Sequence, residues 1–228
     1  MILGIHQPNF VPWLGFFYKW SRCDILVFLD DVQFSKNSFI NRNRIKGPQG
    51  VQWLTIPVFQ KGHFGQNISE TRISEDKKWK KKILGSLQAN YSRAPFFQKY
   101  YKSVETLLLQ ELDRLAEVNI SVLKWAAGEL GIDIPTIRSS EIEGIEGVSS
   151  QRLVSICRKF GGSRYFSGFG GLKYQEEKLF QDFGIELIIS DFKHPKYPQL
   201  WGEFMPNLSI FDLLFNCGPD SGRILLGK

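Results

Sequence analysis

The chain has 228 residues, 43% apolar and 23% charged, with 29 basic residues against 23 acidic ones for a formal charge of +6. These proportions are those of a globular protein and exclude a disordered, collagenous or coiled-coil chain. The length supports a core without metal or disulfide staples, no apolar run approaches the ~20 residues of a membrane span, and the start, MILGIHQPNF, lacks a secretory-signal pattern.

In chain order, residues 2–5 read as a buried strand, after which Pro8 and Pro12 bar a helix until Trp13. Residues 13–22 pattern as a helix and 24–29 (DILVFL) as a strand, which together make a βαβ unit with a parallel strand pair. Segments 39–46 and 51–58 flank Gly47-Pro48-Gln49-Gly50 and predict a hairpin, which the extended piece 68–73 could join. From 75 to 130 the pattern is helical, broken near Pro95 and around Asn119. Leu107, Leu108, Leu112, Leu115 and Val118 form its core-facing stripe. A strand is expected over 133–138, and Ser149 or Ser150 can cap a helix that buries Leu153, Val154, Cys157 and Phe160 before stopping at Gly161. Strand 164–167, a GFGG loop, a helix over 173–183 ended by Gly184, and strand 185–190 come next. Ser209 and Asp212 have capping-box spacing before the helix LLFNC.

The expected fold is α/β: a mostly parallel sheet flanked by helices in a Rossmann-like three-layer arrangement, with an inserted β-hairpin and a helical segment. One domain over 1–228 is expected, its hairpin insertion at about 36–74 and its helical region at about 75–130.

Open parallel sheets bind ligands beyond the carboxyl ends of their strands. The segments after the strand ends hold His6, Gln7 and Asn9; Asp30, Asp31 and Gln33; Arg138 to Glu141; Ser167 and Gly168; and Asp191 with His194. His6 leads off an apolar strand into a proline-braced loop, where it can act as a base, hold phosphate or cap loop backbone. Gln7 and Asn9 offer amides on the same restricted loop. Asp30 and Asp31 can ligate Mg²⁺, serve as a base or cap a turn, although adjacent residues at a strand end usually point apart. Asn41, Arg42, Asn43, Arg44 and Lys46, if extended, put three cations on one face, either a pyrophosphate clamp or a solvated surface. The Ser167-Gly168 loop has free N–H groups but matches no named nucleotide fingerprint. Around Trp79, the run Lys77, Lys78, Lys80, Lys81 and Lys82 reads as a solvated helix face. Cys23, Cys157 and Cys217 are too far apart and odd in number for a disulfide framework or zinc site, so a reducing cytoplasm is the expected setting and no metal is assigned.

The segments His6 to Phe17 (HQPNFVPWLGFF), Phe28 to Phe34 (FLDDVQF) and Asn41 to Lys46 (NRNRIK) resemble the WbqC-like family, as do Tyr165 to Gly168 and Leu208 to Gly218. The family is associated with O-antigen and surface-polysaccharide gene clusters. The resemblance implies a glycine transferase that acylates a sugar amine, and it favours functional roles for His6, Asp30 to Gln33 and the Asn/Arg run. A looser analogy links the histidine-bearing first loop to HIGH-type nucleotidyl-transferring and adenylate-forming enzymes, without the second histidine of that motif.

The leading expectation is a cytoplasmic transferase that places glycine on a nucleotide-linked amino sugar, with His6, or else Asp30 or Asp31, as base. Arg42, Arg44 and Lys46 would hold the pyrophosphate and Ser167 and Gly168 would donate to phosphate or oxyanion. The glycine would be activated by ATP with Mg²⁺ or arrive as glycyl-tRNA. The alternative is a non-catalytic protein that binds a sugar nucleotide or nucleic acid, with no membrane span in either case.

Overall fold

Among the described residues the strands are β1 (Ile2–His6), β2 (Ile25–Phe28), β3 (Arg42–Gly47), β4 (Gly50–Thr55), β5 (Thr136–Arg138), β6 (Arg164–Ser167) and β7 (Glu186–Ile189). The helices are α1 (Leu14–Ser21), α2 (Lys78–Tyr91), α3 (Phe97–Leu109), α4 (Leu115–Glu129), α5 (Ser149–Lys159), α6 (Glu177–Asp182), α7 (Ile210–Cys217) and α8 (Ser221–Leu226). This computed structural model describes residues 1–59, 65–173 and 175–227. Residues 60–64 of the expected insertion and Tyr174 of the expected helix over 173–183 lie outside the described residues. The chain folds into two compact units, one of Met1–Gln7, Gly15–Asp31 and Ile132–Lys193, the other of Pro8–Leu14, Val32–Gly131 and the residues from His194 onward.

The first unit holds a five-stranded sheet in the order β5-β2-β1-β6-β7, every neighbouring pair parallel. Strand alternation divides its faces. Leu3, Ile5 and Val27 point into a core with Val154, Ile156 and Cys157 of α5 and Phe180 of α6. Gly4, His6 and Phe28 take the other face. There Phe28 meets Trp20 of α1 edge-on at 5.5 Å and His6 meets Phe16 at 4.7 Å. Gly4 is what lets the turn after α1 approach, because a Cβ there would sit 2.6 Å from Cys23 Sγ. The parallel, helix-flanked sheet read from the sequence is therefore the observed one.

The second unit is built on the antiparallel β3–β4 hairpin and helices α2, α3, α4 and α7. Ile45 and Leu54 are buried on the hairpin's inner face, and Phe215 of α7 packs on Tyr91 and Phe97 at 5.3 and 5.1 Å. Of the lysine run, Lys80 is buried and donates to the Gln110 carbonyl at 2.7 Å, while its neighbours stay exposed.

Four local expectations change. Segment 68–73 joins the expected hairpin segment 51–58 only through an isolated antiparallel bridge, Val58↔Ile73, and starts as a 3-10 turn over Ile68–Glu70. The helical break falls at 110–114, and Asn119 lies inside α4, where its amide donates to the Pro8 and Ile40 carbonyls at 2.8 and 2.7 Å. Those two bonds outweigh asparagine's weak helix propensity. No side chain caps α5; Ser150 Oγ instead accepts from Glu176 N at 3.0 Å. Ser209 does cap α7, accepting from Phe211 N, but Asp212 is directed into the core and closes no box.

Candidate functional site

The strand order makes the gap between β1 and β6 the point where the chain changes direction. From β1 it returns through α1 to β2 on one side, and from β6 through α6 to β7 on the other. Loops that leave on opposite faces open a crevice at such a point, and ligands of open α/β sheets bind there. His6 ends β1 and Ser167 ends β6, so both lie at this edge.

A third residue lies there that the strand ends alone do not select. The carbonyls of Ile2 and His6 accept from β2-side amides, Asp24 N and Leu29 N, each at 2.8 Å, so the Ile5 carbonyl points toward β6. The β1–β6 register ends at Gly4↔Phe166. The Ile5 carbonyl is met instead by Lys19 Nζ of α1 at 2.7 Å, and that ammonium lies 5.3 Å from the Tyr165 ring centre. Lys19 is 4% exposed. A buried ammonium with a single carbonyl partner is costly to desolvate.

The charges follow from burial. Loss of hydration lowers Lys19 to about 8, so it remains mostly an ammonium at pH 7. Burial, then the Lys19 charge, lower His6 to about 4 against the bond to its own neighbour's carbonyl. His6 Nδ1 is 2.9 Å from the Gln7 carbonyl, which can only accept, so Nδ1 carries the hydrogen and Nε2 the lone pair. A neutral imidazole and a buried ammonium thus lie within electrostatic reach of each other at the end of β1.

Ser167 is fully buried; its Oγ–H is directed at the Gln175 amide oxygen at 2.7 Å, with Gly168 O at 3.1 Å. The segment after it is a 3-10 turn, Phe169–Lys173, rather than an open loop. Gln7, Asn9 and Gln33 make no side-chain hydrogen bond to a described residue.

Asp30 and Asp31 do not point apart; Ser139 joins them, with its Oγ 3.3 Å from Asp30 Oδ1 and 2.5 Å from Asp31 Oδ1. Asp30 is fully buried and accepts from Arg138 Nε at 2.6 Å and from Ser140 N and Oγ at 3.0 Å each. Asp31 pairs with Arg152. The pair ties the end of β2 to β5 and α5, and both Asp30 oxygens are engaged within the protein.

In the second unit, alternation along β3 holds as expected. Asn41 and Asn43 are buried; Asn43 Nδ2 donates to the Phe10 and Val11 carbonyls at 3.2 and 2.9 Å, and Asn41 Nδ2 to Ile56 O at 3.0 Å. Val11, a β-branched residue at φ 38°, is held by that bond in a strained conformation. The three cations part company. Lys46 is 2% exposed and donates to Gln199 Oε1 at 3.2 Å and to the Glu203 carbonyl, so it is not a free clamp. Arg42 and Arg44 instead lie 4.3 and 5.9 Å from the ring centre of Trp53.

The cysteines offer no nucleophile. Burial pushes the Cys23 and Cys157 thiols up to about 12 and Cys217 to about 11, so none is a thiolate at neutral pH.

A profile of the WbqC-like protein family matches residues 7–224. The chain belongs to the WbqC-like protein family. It is 35% identical over 221 residues, 96% of this chain and 95% of the other, to "Uncharacterized protein Rv1507c" of Mycobacterium tuberculosis (strain ATCC 25618 / H37Rv). No solved structure gives a significant match. Among the described residues of this WbqC-like protein, no helix is long and apolar enough to cross a membrane. The signal for Lys19 in the sequence is its setting, a lone cation in the helix LGFFYKWS between Phe17 and Trp20.

Proposed function

We propose that this WbqC-like protein is an N-acyltransferase that moves a glycyl group onto the amine of a nucleotide-linked amino sugar in surface-polysaccharide assembly. The observation that carries the reading is the buried Lys19 ammonium on the Ile5 carbonyl, one residue before His6 at the carboxyl end of β1. Amide formation needs a base for the attacking amine and a positive group for the oxyanion.

In this reading the sugar amine attacks the activated glycyl carbonyl, and a C–N bond forms. His6 Nε2 takes the proton that the amine sheds. Lys19 Nζ keeps one N–H on Ile5 O and turns another toward the oxyanion. When the tetrahedral intermediate collapses, the donor's C–O bond breaks and the imidazolium returns its proton to the leaving oxygen. A base near 4 is weak, but an anionic substrate in the crevice raises it toward the working pH, because an opposite charge favours the imidazolium. Asp30 and Asp31 enter as supports that hold the neighbouring strand ends together. Gln7 contacts substrate from the loop after His6. Arg42 and Arg44 are the groups whose chemistry suits phosphate.

The test is incorporation of labelled glycine into UDP- and dTDP-amino sugars, with glycine plus ATP and Mg²⁺ in one arm and charged glycyl-tRNA in the other. An amide product in either arm supports the reading, and its absence from both contradicts it.

A further inference from the structure

We propose that the outer face of the β3–β4 hairpin binds single-stranded RNA, an unpaired base stacking on Trp53 while Arg42 and Arg44 pair with the adjoining phosphates. The antiparallel register sets Arg42 opposite Thr55 and Arg44 opposite Trp53, so these four share one face. The opposite face carries the buried Asn43, Ile45 and Leu54. On the outer face Trp53 remains 45% exposed even with a guanidinium 4.3 Å from its ring centre, and Phe39, 46% exposed, lies 6.1 Å away at 37°. Large exposed aromatics side by side are unusual on a soluble surface and mark a contact site.

Charge decides what that contact is. The sequence has no Asp or Glu from Val32 to Ser69, while Lys36, Arg42 and Arg44 fall within that stretch. Arg42 and Arg44 form no ion pair among the described residues, and the Nε of each is buried without a hydrogen-bond partner. Arg44 is steadied through Nη2 by the Asn207 carbonyl at 3.3 Å. The guanidiniums are thus held in place by an aromatic ring and a carbonyl rather than neutralised by carboxylates. Planar rings beside uncompensated arginines form the stacking platform that unpaired bases and their phosphates occupy. The platform is an open sheet face, which suits a strand running across it better than a single enclosed nucleotide. The inference rests on the transferase reading only for what the RNA delivers, a glycyl ester at its single-stranded end.

The test is fluorescence anisotropy of the full chain with a labelled single-stranded RNA of about 12 nucleotides, repeated with a UDP-amino sugar as competitor. Trp53→Ala is expected to weaken RNA binding by about 5- to 100-fold, with Trp53→Phe retaining most of it. Arg42→Ala and Arg44→Ala are each expected to lower the salt dependence by about 0.7 in log–log slope. Circular dichroism of each variant should match the wild type, since the altered side chains lie on the solvent face. No RNA binding at low salt, equal affinity of Trp53→Ala and wild type, or variants that lose affinity for the UDP-amino sugar but not for RNA would overturn the proposal. RNA binding that depends on Trp53, in a protein that transfers no glycine, would uphold the platform and sink the transferase reading alone.

Discussion

Lys19 Nζ donates to the Ile5 carbonyl over 2.7 Å and so fills the ladder position that β6 leaves empty where it parts from β1. A strand ladder normally completes itself with a backbone amide, which carries no net charge. Here the carbonyl is satisfied by an ammonium, and a positive group stands at the end of β1 that His6 closes.

Lys19→Met is expected to abolish most activity while leaving the protein folded. Removing a preorganised oxyanion donor costs about 10²–10³ in rate. Stability has two opposing terms: the Ile5 carbonyl loses its partner, and the desolvation cost of a buried ammonium disappears. The two are of similar size, so Tm should move by no more than about 4 °C in either direction, roughly 1–2 kcal/mol for a chain of this length. Thermal unfolding together with a rate measurement checks both halves.

The pH dependence of stability is set in part by His6. Its folded-state pKa, about 4, lies below the ordinary 6.5, so the unfolded chain binds the proton more readily. The contribution of neutral His6 is intact above pH 6.5 and is lost as pH falls from there through about 4. His6→Asn should flatten the unfolding curve in that window. Because the Lys19 charge is one cause of the lowering, the His6 ring resonance in Lys19→Met should titrate at higher pH than in the wild type. An unchanged titration would separate the two residues electrostatically.

Asp30→Asn tests the strand-end clasp. The change keeps the shape but leaves Arg138 and the Ser140 donors facing a neutral amide. Breaking one side of a buried pair costs about 3–5 kcal/mol, and here the lower part of that range is expected because Arg138 is 26% exposed. Denaturant unfolding should show the loss with an unchanged m-value. A stable variant with a large loss of rate would instead make Asp30 a participant in the chemistry.

Asn43→Ala should destabilise the second unit by about 2–3 kcal/mol, because two carbonyls, those of Phe10 and Val11, lose their donor and the Arg44 amide loses its acceptor. Proteolysis within the 8–14 segment should accelerate in step, since that hydrogen bond restrains strained Val11. Resistance equal to wild type would mean that Asn119 and the backbone bonds at Phe10 and Pro12 fix the loop without Asn43.

The parallel sheet was legible because its strands are short apolar runs separated by helices and glycine stops, and His6 stood out because it closes the first of them. Lys19 was not, because buried lysines are rare and a lone one reads as solvent-facing even among the aromatics of LGFFYKWS. The Asn41 to Lys46 alternation was legible from period two, whereas the fate of Lys46 was decided by Gln199 and Glu203, more than 150 residues on. Remoteness in sequence also hid the role of Asp30, whose partners lie 108 and 110 positions away. Local pattern fixes elements and facing; it carries nothing about which remote side chain neutralises a charge.

The most direct measurement compares glycine transfer to a nucleotide-linked amino sugar by the wild type and by His6→Gln, with substrate affinity measured in parallel. The account predicts an amide product from the wild type and a rate lower by about 10²–10⁴ in the variant at nearly unchanged affinity. Near wild-type turnover in His6→Gln would contradict it.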